Sequence, residues 1–390
     1  MRRAIYLDHA ATTRVDPRVV EAMLPYWTEH YGNAESVHRF GRAAKRGLEG
    51  ARESIARQLN ASSKEIIFTA GGSESDNMAL RGVMMQAGRG SHLITSIVEH
   101  KAVLDTARQL RDLYGCELTI LPVDRYGQVR LHELEAAIRP NTALISIMAA
   151  NNEIGTLQPV AEIGRIARQH NILFHTDAVQ AIKTEAWDMA TQPIDLLSIA
   201  AHKFNGPKGV GVLYLRNGID LVPPTTGGGQ ERGLRPGTHN VAFAVGVAKA
   251  LEIAQAERGE RIAHDIALRD QMIAGTLNAL GDDCVLTGHP TERLPFTASF
   301  AIRHLKGNDM LMHLDLEGVA ASSGSACSVG NPKPSRILDA LGLSDDWLSG
   351  GLRFTVGVGN TSDDIDHAIA ALVKTVDKLK RLTLKYGGSD

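Results

Sequence analysis

The sequence predicts an α/β protein built on a mainly parallel β-sheet covered by helices on both faces, and three observations predict it. Seven short apolar runs recur between residues 64 and 215, longer segments with apolar residues at helical spacing separate them, and Gly, Pro, Asn or Asp bounds several of the runs. In order the runs are E-I-I-F-T, H-L-I-T-S-I, E-L-T-I-L, A-L-I-S-I-M, I-L-F-H-T, I-D-L-L-S-I and V-G-V-L-Y-L. The helical patterns between them include 101–114 and 159–170. Strands that alternate with helices pair in parallel, and such sheets bind their ligands just past the carboxyl ends of the strands.

Beyond the last run, V-P-P-T-T-G-G-G-Q-E-R-G-L-R-P-G-T (222–238) is too rich in Gly and Pro for regular structure and reads as an ordered functional loop or a boundary. Helical patterns at about 240–257 and 261–280 follow it, then short strands near 297 and 352 and a final amphipathic helix from about 362. A chain of 390 residues exceeds one ordinary domain. Residues 16–260 are therefore expected to form the large domain, and 1–15 with 261–390 a smaller α+β domain.

With 43% hydrophobic and 22% charged residues the composition is that of a soluble globular protein. A net charge of -2 argues against a nucleic acid or a membrane surface as the main partner, since both call for a basic excess. The basic stretch R-F-G-R-A-A-K-R (39–46) is followed by Glu49 and Glu53 and reads as a solvated helix face. No segment has the continuous apolarity of a membrane span, and M-R-R-A-I-Y-L-D lacks the apolar core of a signal peptide, so a cytoplasmic protein is expected. Cys116, Cys284 and Cys327 are odd in number, far apart and without a CxxC pair, so neither a disulfide framework nor a bound metal is expected. Cys116 and Cys284 adjoin apolar segments and are expected in the core. Cys327 lies in A-S-S-G-S-A-C-S-V-G-N-P-K-P (321–334), which offers a thiol nothing apolar to pack against.

Several polar residues follow predicted strands. Lys203 in A-H-K-F-N-G-P-K-G ends an apolar run; it is either a plain strand-end lysine or an amine for an aldehyde. Asp177 closes I-L-F-H-T-D, with Gln180 three residues on; it either caps the next helix or meets a protonated pyridine nitrogen. Gly71, Gly72 and Ser73 in F-T-A-G-G-S-E-S-D-N join a strand to a helix, an arrangement suited to a phosphate. His100 in V-E-H-K-A-V could stack on a flat ring, Asn151 follows A-L-I-S-I-M-A-A, and Arg353 in G-L-R-F-T-V-G is an arginine in a strand, where a substrate carboxylate would pair with it.

An amine for an aldehyde, a carboxylate for a pyridinium, a phosphate cradle and a stacking histidine together describe pyridoxal phosphate. The motifs run nearly end to end: Y-L-D-H-A-A-T-T (6–13), E-S-D-N (74–77), E-H-K-A-V (99–103), N-N-E-I-G (151–155), the Asp177 and Gln180 pair, H-K-F-N-G-P-K-G (202–209), G-G-G-Q-E-R-G (227–233), R-P-G-T (235–238), S-S-G-S-A-C (322–327) and L-R-F-T (352–355). In this order they resemble the pyridoxal-phosphate cysteine desulfurases of the NifS and IscS type, within the class V aminotransferase fold. The resemblance implies a fold-type I transferase whose large domain carries a mainly parallel seven-stranded sheet and whose small domain carries the catalytic cysteine loop.

It implies roles as well. Lys203 holds the cofactor aldehyde and, once displaced by L-cysteine, removes the Cα proton; Asp177 pairs with the pyridine nitrogen, and Gln180 contacts the ring oxygen. His100 stacks on the ring and is the candidate proton relay. Gly72, Ser73 and His202 hold the phosphate, together with Thr238 from the other subunit of a homodimer. Asn151 and Arg353 bind the substrate carboxylate. Cys327 takes the sulfur as a persulfide, leaves L-alanine, and passes the sulfur to an acceptor protein, such as an iron-sulfur scaffold, or to tRNA thiolation. Three departures stand out: Ala200 where the family has a phosphate-binding serine, G-N-A-E-S-V-H (32–38) where it has G-N-P-S-S-x-H, and Pro332 and Pro334 stiffening the segment after Cys327.

Overall fold

The computed structural model describes residues 4–323 and 335–386. In chain order its strands are β1 (Ile5–Tyr6), β2 (Ile66–Thr69), β3 (His92–Ser96), β4 (Glu117–Leu121), β5 (Thr142–Ser146), β6 (Leu173–Asp177), β7 (Leu196–Ala200), β8 (Gly211–Leu215), β9 (Cys284–Leu286), β10 (Thr297–Ile302), β11 (Val319–Ala320) and β12 (Gly351–Thr355). All seven apolar runs become strands of one sheet, in the order β2-β8-β7-β6-β5-β3-β4. Five of them, from β7 to β4, run parallel, while β8 lies antiparallel to both its neighbours.

The runs are apolar at successive positions because both faces of the sheet are covered. Ile66 and Phe68 of β2 enter one core layer with Ile94, Ile145, Phe174 and Ile199; Ile67 enters the other with Leu93, Leu144, Leu196 and Leu213. Helices Arg39–Gln58, Val160–Gln169 and Val241–Ala256 contribute to the first layer, Gly72–Ala87 and Lys101–Tyr114 to the second. Each such side chain contributes about 1.5–3 kcal/mol relative to exposure. Along the expected basic stretch, Arg39, Arg42, Lys45 and Arg46 are exposed while Gly41 and Ala44 are buried, which is a solvated helix face.

Strand order positions the site. The chain leaves β3 for β4 on one side and leaves β5 for β6 and β7 on the other. Connections that diverge in this way open a crevice at the carboxyl ends of the strands between them. The later part of the chain forms a three-stranded antiparallel sheet, β12-β10-β9, beside which β1 pairs in parallel with β11. Asp8 continues β1 into a parallel bridge with Thr355, so the first residues belong with the last sheet. From there the chain crosses back, and the Thr13 N–H donates to the His202 carbonyl at 2.9 Å.

No described helix is long and apolar enough to cross a membrane. Among the described residues no group of His, Cys, Asp and Glu could hold a metal ion. Cys116 and Cys284 are buried, as their apolar neighbours led one to expect. Cys327, Pro332 and Pro334 lie outside the described residues.

Candidate active site

The carboxyl ends of β3, β5, β6 and β7 surround a cavity of about 320 Å³. Its wall includes Gly72, Ser73, His100, Asp177, Gln180, His202, Lys203 and Arg353, so eight of the expected residues converge from five separate segments of the chain. A larger hollow of about 410 Å³ beside Trp187 and Gln158 holds none of them.

Lys203 ends the short 3₁₀ turn Ala201–Lys203 that follows β7. Its Nζ donates to the carbonyls of Ala10 and Ala11 at 2.6 and 2.8 Å. Burial above all, and then the Arg353 charge, lower its pKa to about 8 against the pull of Asp177 and Asp8. About one amine in ten is then neutral at pH 7, against about one in three thousand at the ordinary value of 10.5. Lys203 is thus a usable nucleophile and base at neutral pH.

Asp177, the last residue of β6, is buried, and its Oδ1 accepts the Val179 N–H at 2.9 Å. Burial raises its pKa, while the charges of His100 and Lys203 and the Val179 N–H work to lower it. A buried carboxylate so thinly paired suits a cationic ring nitrogen. Behind it, His175 bonds Ser146 Oγ at 2.8 Å and Ser198 Oγ at 3.0 Å, and burial holds its pKa near 3, so it adds no charge. Gln180 donates from Nε2 to the Ala10 carbonyl at 3.0 Å, the same oxygen that receives Lys203. His100 caps helix Lys101–Tyr114: its Nδ1 accepts the Ala102 N–H at 3.1 Å, which leaves the proton of the neutral ring on Nε2.

The anion end lies where β2 gives way to helix Gly72–Ala87. Gly71 precedes that helix with φ 154 and no side-chain cap, so the first N–H groups stay free beside the cavity. A side chain at Gly72 would meet Val179 Cγ2 at 2.7 Å, so the glycine is what keeps this corner open. His202 is held near a pKa of 4 by burial and by Lys203 and Lys208, and its Nδ1 lies 3.2 Å from Thr12 Oγ1. Ala200 lines the cavity with a methyl where the resemblance leads one to expect a hydroxyl.

Arg353 on β12 donates from Nη2 to Asp8 Oδ1 at 2.7 Å and from Nη1 to the Asn152 carbonyl, while its buried Nε has no hydrogen-bond partner among the described residues. That is an anion-binding fork with one prong unspent.

The Asn151 side chain is not in the cavity wall: it is wholly buried, Oδ1 accepts the N–H groups of Glu153 and Ile154, and Nδ2 donates to the Val98 carbonyl at 2.9 Å. Those bonds fold the N-N-E-I-G turn, and it is the neighbouring Asn152 that lines the cavity. Thr238 is exposed on its loop and is not in the wall of its own chain's cavity. Asp8 and Asp76 were not anticipated, although both lie inside quoted motifs. Asp76, fully buried in the cavity wall, is raised well above the ordinary carboxylate range by burial and by Asp177.

Fold and cavity together define an α/β enzyme with a reactive lysine opposite a buried carboxylate at the switch point of its sheet. Residues 5–368 match the family Aminotransferase class-V. The chain is 45% identical to "Cysteine desulfurase IscS" of Dictyoglomus turgidum over 98% of its own length and 97% of that protein, and 45% identical to the protein of the same name in Methanosarcina thermophila over 98% and 94%. A solved structure titled "NIFS-LIKE PROTEIN" superposes with a TM-score of 0.90 at 38% identity, covering 97% of this chain and all of that one. The chain belongs to the class-V aminotransferase family, among its cysteine desulfurases. These enzymes depend on pyridoxal phosphate, and the cavity fits it: a glycine-opened helix N-terminus for the phosphate, a thinly paired carboxylate for the ring nitrogen and an amine of lowered pKa for the aldehyde.

Proposed function

We propose that the cavity is the active site of a cysteine desulfurase that takes sulfur from L-cysteine, releases L-alanine and passes the sulfur through Cys327 to an acceptor. One observation carries this: Lys203, Asp177, His100, the free end of helix Gly72–Ala87 and Arg353 all converge on one cavity.

When bound, pyridoxal phosphate supplies an electron sink for the pair released at Cα. Lys203 would hold its aldehyde, Asp177 its ring nitrogen, Gln180 its ring oxygen, and Gly72, Ser73 and His202 its phosphate, with His100 against the ring. Arg353 takes the substrate carboxylate with its unpaired Nε side, and Asn152 lies beside it. Once free, the Lys203 amine accepts the Cα proton. Cys327, as thiolate, attacks the substrate sulfur, so that an S–S bond forms as the C–S bond breaks, and proton return to the carbon skeleton gives alanine. His100, protonated on Nε2 when neutral, is placed to relay a proton.

Two domains, residues 16–260 and 1–15 with 261–390, frame this site. The working form is a homodimer in which Thr238 of each subunit reaches the other's cofactor phosphate. The acceptor is a protein of iron-sulfur cluster assembly or tRNA thiolation, and the setting is cytoplasmic.

The test is to incubate the holoenzyme with L-cysteine and reductant and to measure alanine and sulfide, alongside Cys327→Ala and Lys203→Ala. Alanine from the native chain, lost in both variants, is the expected result. Alanine formed without Cys327, or a keto acid formed only with an amino acceptor, would replace this reading with an aminotransferase.

A further inference from the structure

The Gly- and Pro-rich loop between β8 and helix Val241–Ala256 contains two non-glycine residues in the left-handed region, Glu231 (φ 48) and Arg232 (φ 60), followed by Gly233 (φ 82). Side chains resist that conformation, so it persists only where the surroundings over-determine it. At Glu231 they do. Its side chain is 1% exposed. Its Oε2 accepts Arg52 Nη1 at 2.8 Å and the Phe68 N–H at 3.0 Å, and its Oε1 accepts Arg52 Nη2 at 2.8 Å. His239 Nε2 lies 3.0 Å from the same Oε1. Arg52 is itself buried, reaches the Ile66 carbonyl at 2.7 Å and lies over the Phe68 ring. Burial alone would raise the Glu231 pKa, yet Arg52, His239 and the Phe68 N–H bring it down to about 2.

This network is absent from the wall of the chain's own active-site cavity. What it fixes is the path of the loop. His239, packed against Glu231 with Nε2 at 3.0 Å from Oε1, follows Thr238 directly, and Gly237, on the other side, donates its N–H to Gln230 Oε1 at 3.0 Å. The exposed Thr238 is therefore clamped from both flanks, by the two residues at the head of the strained turn. Arg235 adds a third tie, to Glu74 Oε1 at 2.9 Å.

We infer that Glu231 is a positioning residue for the cofactor phosphate of the partner subunit: its buried carboxylate holds the strained loop in the shape that presents Thr238 across the dimer. This rests on the reading above that Thr238 serves the other subunit's site. A residue acting in this way affects phosphate and not ring, and acts only through Thr238.

Both properties are measurable on the full-length protein by comparing binding of pyridoxal phosphate with that of pyridoxal, which lacks the phosphate, in Thr238→Val, Glu231→Gln and the double variant. Thr238→Val is expected to weaken pyridoxal phosphate binding about tenfold, one hydrogen bond to a charged group, with pyridoxal unchanged. Glu231→Gln should do the same, and the double variant should be no worse than either single one. If Glu231→Gln fails to fold, Arg52→Lys, which keeps the charge but loses the fork, takes its place with the same pattern expected. Equal weakening of both ligands, or an effect that adds to that of Thr238→Val, overturns the role given to Glu231. A Thr238→Val protein that binds both ligands normally overturns the cross-subunit reading itself, and the inference with it.

Discussion

Replacing Lys203 with methionine should make the cofactor-free protein more stable at neutral pH. The lysine is held with a pKa near 8 against an ordinary 10.5, chiefly by burial. A lysine whose pKa is lower in the folded than in the unfolded chain costs stability in full below the folded value, and the cost disappears as pH rises from about 8 to 10.5. The gap corresponds to at most about 3 kcal/mol. Methionine keeps the length of the side chain and removes the charge, but it also removes the hydrogen bonds to the carbonyls of Ala10 and Ala11, together worth about 1–2 kcal/mol. The net expectation is a cofactor-free Lys203→Met protein more stable by about 1–2 kcal/mol at pH 7, with the advantage gone by pH 10.5. Urea unfolding of both proteins across this range measures it. A difference that does not change between pH 8 and 10.5, or a native chain more stable at pH 7, would show that burial does not hold the amine in the reactive form.

Ala200→Ser should retain pyridoxal phosphate about tenfold more tightly in equilibrium dialysis, because a hydroxyl at the end of β7 adds one hydrogen bond to a charged group. Asn151→Ala should cost about 2–4 kcal/mol of stability through three lost buried bonds, whereas Asn152→Ala should leave the melting temperature alone and raise KM for cysteine about tenfold. Glu99, whose carboxyl is raised to about 8 by burial, should cost the native chain stability progressively between about pH 4.5 and 8. Glu99→Gln should remove that slope, and pH-dependent unfolding of the two proteins compares them.

The sheet was readable because its strands, apart from the edge strand β4, are buried on both faces, which compels near-continuous apolar runs and leaves few alternatives. The site was readable in part because fold rules place function just past strand ends, where Lys203, Asp177 and His100 indeed lie. Asn151 and Asn152 could not be told apart, since they are identical neighbours in one turn and only the direction of the chain decides which faces the core. The Arg52 and Glu231 pair was invisible for another reason: 179 residues separate two ordinary charged side chains, and nothing local marks either as buried. Asp8 was within reach, because it follows the first apolar residues of the chain and Arg353 required an anion.

The pairing of β1 with β11 has a consequence for synthesis. Ile5 finds its partner only in Val319, and Asp8 finds Arg353 only when nearly the whole chain has been made. The Ile5–Asp8 segment therefore waits for partners made as much as 345 residues later before it can settle, and with it the Ala10 and Ala11 carbonyls that hold Lys203. Whatever the large sheet has already formed by then, the cavity wall is complete only once Arg353 has been made. A chain that lacks the residues from 319 on has neither the strand partner of Ile5 nor the arginine that meets Asp8.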